Sequence, residues 1–169
     1  MRVFVTGPGR CGTVTFAEAC KAGITNYTAL HESHAGMNPP WEFPDDHIEV
    51  DPRLTWHVPK LIKKYPEARW VILDRNRDAV IWSWHKRGTT MTAWRRLSTY
   101  DAGNALMGAQ HYVEFVYELL DALIPEEKRL WLTTPVCEDE ARTFWKLAGA
   151  QGDFARFATT LSRIHNPTR

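Results

Sequence analysis

The sequence predicts an α/β sandwich with a mainly parallel central sheet. Two patterns carry that reading. Short β-branched or aromatic runs alternate with segments of helical periodicity, and the first run stops at a glycine-rich turn that opens into a helix. Size agrees: 169 residues suit one domain spanning 1–169, since two cores of half that length would each bury too little surface.

The elements follow in order. Arg2-Val3-Phe4-Val5-Thr6 reads as a buried strand ended by Gly7-Pro8-Gly9. Thr13 to Lys21 reads as a helix with Phe16, Ala17, Ala19 and Cys20 on its packing face and Gly23 as its stop. Ile24 to Leu30 is expected to be a second strand. His34 to Pro52, rich in Pro, Asp, Gly and His, is expected to be a long loop with at most short structure. Leu54, Val58, Leu61 and Ile62 have helical spacing, and Pro59 argues for a late start or a kink. Arg69 to Asp74 is the clearest strand. Helices are expected over Ala79–Trp84, Asn104–Leu123, Asp139–Ala148 and Asp153–Ile164, with a strand at Arg129–Thr133 and a fraying tail from Asn166.

Composition excludes several classes of function. Lys plus Arg is 21 and Asp plus Glu is 20, a net charge of +1 that gives no global attraction to nucleic acid or an anionic membrane. No apolar run approaches the ~20 residues of a membrane span, and Met1 leads straight into a strand without a signal pattern. Cys11, Cys20 and Cys137 form an odd set without zinc spacing, which points to a reducing cytoplasm.

Gly7-Pro8-Gly9-Arg10-Cys11-Gly12-Thr13 joins the first strand to the first helix. Such a loop can turn backbone N–H groups and the positive helix end towards one oxyanion. Its Gly-x4-Gly spacing matches half of the ATP/GTP-binding loop, but Thr13-Val14 stands where Lys-Ser/Thr would follow. Arg10 is then the available cation, with a fork suited to two phosphate or sulfate oxygens. A second segment, Trp70 to Ser83, ends a buried strand at Arg75 and places Ser83 eight residues on, about one turn inside a helix. Charge from Arg75 and a neutral donor from Ser83 can meet on one phosphate, with Asn76 or Asp78 capping the helix.

Together with the Lys60…Tyr65-Pro66-Glu67-Ala68-Arg69 lead-in, the glycine loop and the Arg-x7-Ser segment resemble the sulfotransferase family. Its members take a sulfuryl group from 3′-phosphoadenosine 5′-phosphosulfate (PAPS) and release PAP. The resemblance runs from Arg2 to about Arg87 and is only general beyond. It implies a three-layer P-loop-like sandwich, the sulfotransferase fold. It also implies that Arg10 and the amides of Gly9, Cys11, Gly12, Thr13 and Val14 hold the 5′-phosphosulfate, while Arg75 and Ser83 hold the 3′-phosphate. Cys11 replaces the family's usual serine, Val14 its second threonine, and Thr15 a tryptophan that packs on adenine in soluble members, with Phe16 beside it. No clear counterpart of the family's late Arg/Lys-Gly segment is present; Arg87-Gly88 lies too close to Ser83.

Transfer needs a base for the acceptor proton and a cation on the leaving phosphate, the latter assigned to Arg10. Leu30-His31-Glu32-Ser33-His34 ends the expected second strand, where related sulfotransferases place a glutamate. By that resemblance Glu32 is the first choice of base and His31 the second; histidine side chains as a class titrate near neutral pH without assistance. His31-x2-His34 lacks a convincing third ligand, and sulfuryl transfer requires no metal. Asp51, Arg53, Trp41 and Trp56 are candidates for an acceptor pocket or for core. Lys86, Arg87, Arg95 and Arg96 form a basic set suited to an anionic acceptor such as a glycan, or simply a solvated face. Two alternatives stand beside this reading: a P-loop nucleotide or metabolite kinase with Asp74 at its metal, and a non-catalytic PAP- or PAPS-binding module.

Overall fold

A computed structural model describes residues 1–39, 41–86 and 105–163. Arg87, Gly88, Arg95, Arg96, Asn104 and the tail from Ile164 lie outside the described residues. The strands are β1 (Arg2–Thr6), β2 (Thr28–His31), β3 (His47–Val50), β4 (Arg69–Arg75) and β5 (Arg129–Thr134). The helices are α1 (Thr13–Gly23), α2 (Val58–Lys64), α3 (Arg77–Lys86), α4 (Ala105–Leu123), α5 (Glu138–Ala148) and α6 (Phe154–Leu161).

All five strands run parallel in the order β2-β3-β1-β4-β5. Alternation along the strands sorts their side chains between two faces. Val3, Val5, Ile48, Val50, Val71, Leu73 and Leu132 pack with Phe16, Phe144 and Phe157 of α1, α5 and α6. Phe4, Trp70 and Ile72 pack with Leu61, Val80, Trp84, Val113 and Leu120 of α2, α3 and α4. Helices therefore cover both faces, giving three layers. Each fully buried phenylalanine or leucine contributes about 2–3 kcal/mol of apolar burial, which is why the central strands carry almost continuous apolar runs. No described helix is long and apolar enough to cross a membrane.

One expectation for the first third of the chain is corrected. The second strand is Thr28–His31, not Ile24–Leu30. Residues 24–27 instead bind the α5–α6 corner: Thr25 N–H donates to the Gln151 carbonyl at 2.8 Å and the Tyr27 hydroxyl to the Ala148 carbonyl at 2.6 Å. The segment expected as a long loop with at most short structure contains one short strand, β3, lying between β1 and the edge strand β2. Its ionisable residues His47 and Glu49 are both buried, so polarity hid a strand that Ile48 and Val50 mark. The late start at Pro59 is borne out: a 3-10 segment covers Pro52–His57, and α2 begins at Val58 with the proline in its first turn.

The topology selects one crevice. From β1 the chain leaves for the β2 edge, and from the adjacent β4 it leaves for β5. Connections diverge at the carboxyl ends of these neighbours, the place where open α/β sheets hold ligands. The Gly7–Gly12 loop and Arg75 both lie there.

Candidate functional site

The loop after β1 keeps its backbone in conformations that favour glycine at three positions: Gly9 at φ 73°, Arg10 at φ 60° and Gly12 at φ 100°. A side chain at Gly9 would meet the Trp84 ring at 2.9 Å. Arg10 is the exception, a non-glycine residue held in the left-handed region. What holds it is a set of side chains from other elements. Trp84 Nε1 donates to the Pro8 carbonyl at 2.9 Å, Arg75 Nη1 to the Arg10 carbonyl at 3.0 Å, and Thr134 Oγ1 to the Cys11 carbonyl at 2.9 Å. The Thr134 hydroxyl also lies 3.0 Å from the Asp74 carbonyl. Three loop carbonyls are thus taken up from outside the loop. Gly12 is the N-cap of α1, no side-chain hydrogen bond among the described residues caps that helix, and its first turn carries no acidic residue. An uncapped positive helix end stands beside the loop.

Arg10 Nε donates to Ser83 Oγ at 2.9 Å, and Ser83 is buried on α3. So the structure brings Arg10, Arg75 and Ser83, from three separate segments, together at the carboxyl ends of β1 and β4. Asn76 caps α3 by accepting from the Ala79 amide at 2.9 Å, as one of the two expected residues. Asp74 accepts from the Arg75 amide at 2.9 Å, a local pairing at the strand end. Cys11 turns inward and is fully buried. Burial pushes its thiol up to about 12, against the pull of nearby backbone groups and Arg75, so the sulfur is neither a thiolate nor a replacement for a ligand-binding hydroxyl. Thr13 is buried at the α1 N-terminus, and Val14 is half-buried beside it.

The ends of β2 and β3 make a second corner. His31 pairs in register with Val50, which directs it to the α1 face, and its Nε2 lies 3.3 Å from Thr13 Oγ1. Glu32 is exposed, adopts φ 49°, and its amide donates to the Val50 carbonyl at 3.1 Å. Ser33 then returns to the opposite face, where its amide and hydroxyl donate to Glu49 Oε1 and Oε2 at 2.8 and 2.7 Å. Glu49 Oε2 also lies 2.9 Å from His47 Nε2, and Ser33 Oγ lies 2.8 Å from His34 Nδ1. Burial alone would raise the Glu49 pKa, but hydrogen bonds from His47 and Ser33 more than reverse this and hold it below the usual carboxylate value. Asp51 is buried and accepts from Arg53 Nε and Nη2 at 2.9 and 2.5 Å; this contact, with the field of Glu32 and Glu49, raises the Arg53 pKa.

Trp41 is buried against His34 and His57, and Trp56 is half-buried against Phe115. Trp41 is therefore core. Among the described residues no group of three or more His, Cys, Asp or Glu is placed to hold a metal ion.

Sequence reasoning named Arg10, Arg75, Ser83, Thr13 and His31, and these lie along one sheet edge. It missed Trp84 and Thr134 as tethers of the loop, and Glu49 with His47 as the support of the β2 exit. Only the alternation His47-Ile48-Glu49-Val50 signalled the last pair. No protein-family model matches the chain, and no curated protein matches it. Function must then be read from the site's own chemistry.

Proposed function

We propose that the protein is a PAPS-dependent sulfotransferase with a P-loop-like sandwich fold. The observation that carries this reading is the meeting of Arg10, Arg75 and Ser83 beside an uncapped helix N-terminus. Two guanidinium groups, a hydroxyl and a positive helix end suit a ligand with two separate anionic groups better than a single phosphate. The loop lacks the lysine of the kinase alternative, and Asp74 is engaged by the neighbouring amide.

In this reading Arg10 and the loop amides of Gly9, Cys11, Gly12, Thr13 and Val14 bind the phosphosulfate end, and Arg75 with Ser83 binds the 3′-phosphate. An acceptor hydroxyl or amine attacks sulfur, the bond from sulfur to the bridging phosphate oxygen breaks, and the leaving phosphate takes the electron pair. Arg10 meets the charge that develops there. Glu32 or His31 receives the acceptor proton. His31 already lies against Thr13, next to the loop, whereas Glu32 faces solvent at the same strand end. The acceptor is a small molecule or glycan, the reaction uses no metal, nucleic acid or membrane, and the compartment is cytoplasmic.

Thermal unfolding with PAP, AMP and ATP·Mg²⁺ tests this, because a ligand that binds only the folded chain raises its stability by mass action. Stabilisation by PAP well above AMP, lost in Arg75→Ala, is the expected result. Stabilisation by ATP·Mg²⁺ instead overturns the sulfotransferase reading in favour of a kinase. PAP binding without transfer to any acceptor tried favours the non-catalytic module.

A further inference from the structure

Glu49 is a fully buried carboxylate on a strand between two apolar neighbours, and the proposed reaction makes no use of it. Burying an ionised carboxylate is costly, and a well-packed apolar residue at such a place is commonly neutral or stabilising. Its partners show where it acts. Both carboxylate oxygens are directed at one residue, Ser33, through the amide and the hydroxyl. Ser33 directly follows Glu32, which is held in the left-handed region, and Glu32 follows His31. The turn is closed further by Ala35 N–H donating to the Glu32 carbonyl at 2.9 Å and by Arg53 Nη1 donating to the His34 carbonyl at 3.3 Å.

We propose that Glu49 is a positioning residue: through Ser33 it fixes the turn that presents the base, Glu32 or His31, to the crevice. The role rests on the sulfotransferase reading. Mechanically, the strand register sends His31 to the α1 face and Glu49 to the opposite face, so the chain must cross the sheet edge at Glu32. A left-handed non-glycine residue at that crossing persists only if its neighbours hold it. Glu49 holds it from below with charge-assisted hydrogen bonds, stronger than neutral ones. The groups facing Glu49 are His47 from its own strand, Ser33 from the β2 exit, on whose hydroxyl His34 Nδ1 sits, and the more distant Arg53, whose field it shares with Glu32 and Asp51. His47 Nδ1 is buried and has no hydrogen-bond partner among the described residues, and the imidazole meets Glu49 through Nε2.

Glu49→Gln and Ser33→Ala test the role; the second deletes only a hydroxyl and serves should the first fail to fold. The first readout is residue-resolved amide hydrogen exchange. In Glu49→Gln the Ser33 and Ala35 amides should exchange about tenfold faster while β1 and β4 keep their protection. An unchanged Ser33 amide, or a loss shared equally by β1 and β4, overturns the proposal. The second readout is PAP release from PAPS with water or an added simple alcohol as acceptor. There kcat should fall about tenfold in Glu49→Gln and about threefold in Ser33→Ala, with KM for PAPS held within about twofold. A variant with full kcat overturns the positioning role alone. A wild-type chain that PAP does not stabilise overturns the sulfotransferase reading and the catalytic half of the proposal with it, while exchange at Ser33 still decides whether Glu49 holds the turn.

Discussion

The two corners of the sheet's carboxyl edge are built on opposite plans. At the β1/β4 corner the cations Arg10 and Arg75 sit half-buried, and neutral tethers from Trp84 and Thr134 hold the backbone beneath them. At the β2/β3 corner the acids lie underneath: Glu49 and Asp51 are buried, and the groups they hold, Ser33 and Arg53, are nearer the surface. One corner therefore carries positive groups near its surface. The other uses negative charge already inside the fold to fix a turn.

The comparison is broken most severely by Arg75→Ala. It removes one cation and the donor to the Arg10 carbonyl, and PAP binding should weaken roughly a hundredfold, about 3 kcal/mol. Isothermal titration measures it, and a change under about threefold would show that the corner does not read the 3′-phosphate. Next comes Arg53→Met at the acidic corner. Asp51 keeps the Arg53 amide but loses its charged partner, so unfolding in urea should show a loss of about 2 kcal/mol with little change in PAP affinity. Thr134→Val preserves shape and deletes the hydroxyl that serves the Cys11 and Asp74 carbonyls; about 1 kcal/mol of stability should go, with a modest loss of PAP affinity. Equal effects of Arg53→Met and Thr134→Val on PAP affinity would erase the distinction between the corners.

The most gradual signature is in acid. The folded-state pKa of Glu49 lies below its ordinary value, so its stabilising share is complete above the unfolded-chain pKa and is lost as pH falls through the folded value. Melting midpoints of the wild type should fall more steeply on acidification than those of Glu49→Gln. Glu42 and Glu140, whose pKa values are also lowered, remain in both proteins and cancel in the difference. Parallel curves would show that the fold does not hold the Glu49 carboxyl below its ordinary pKa.

The basic corner was legible in the sequence because local chemistry encodes it. Glycines mark the turn, an arginine follows an apolar strand, and a serine sits at helical spacing from it. The acidic corner was not. β3 holds two ionisable residues in a short strand, a composition that reads as loop until the sheet closes around it. Ile24–Tyr27, apolar and β-prone enough to read as strand, was claimed by the α5–α6 corner, distant in the chain, through Thr25 on Gln151 and Tyr27 on Ala148.

Periodicity and turn residues alone determined the alternation of strands and helices, the glycine loop and the placing of Arg75 and Ser83 after β4, because these depend on spacings within a few turns of chain. Tertiary structure decided the strand order, the inward turn of Cys11, the tethering of the loop by Trp84 and Thr134, and the burial of Glu49 beneath Ser33. Those depend on which surfaces meet across the sheet. A carboxylate's partners are chosen by packing and desolvation, and neither is written in its immediate neighbours.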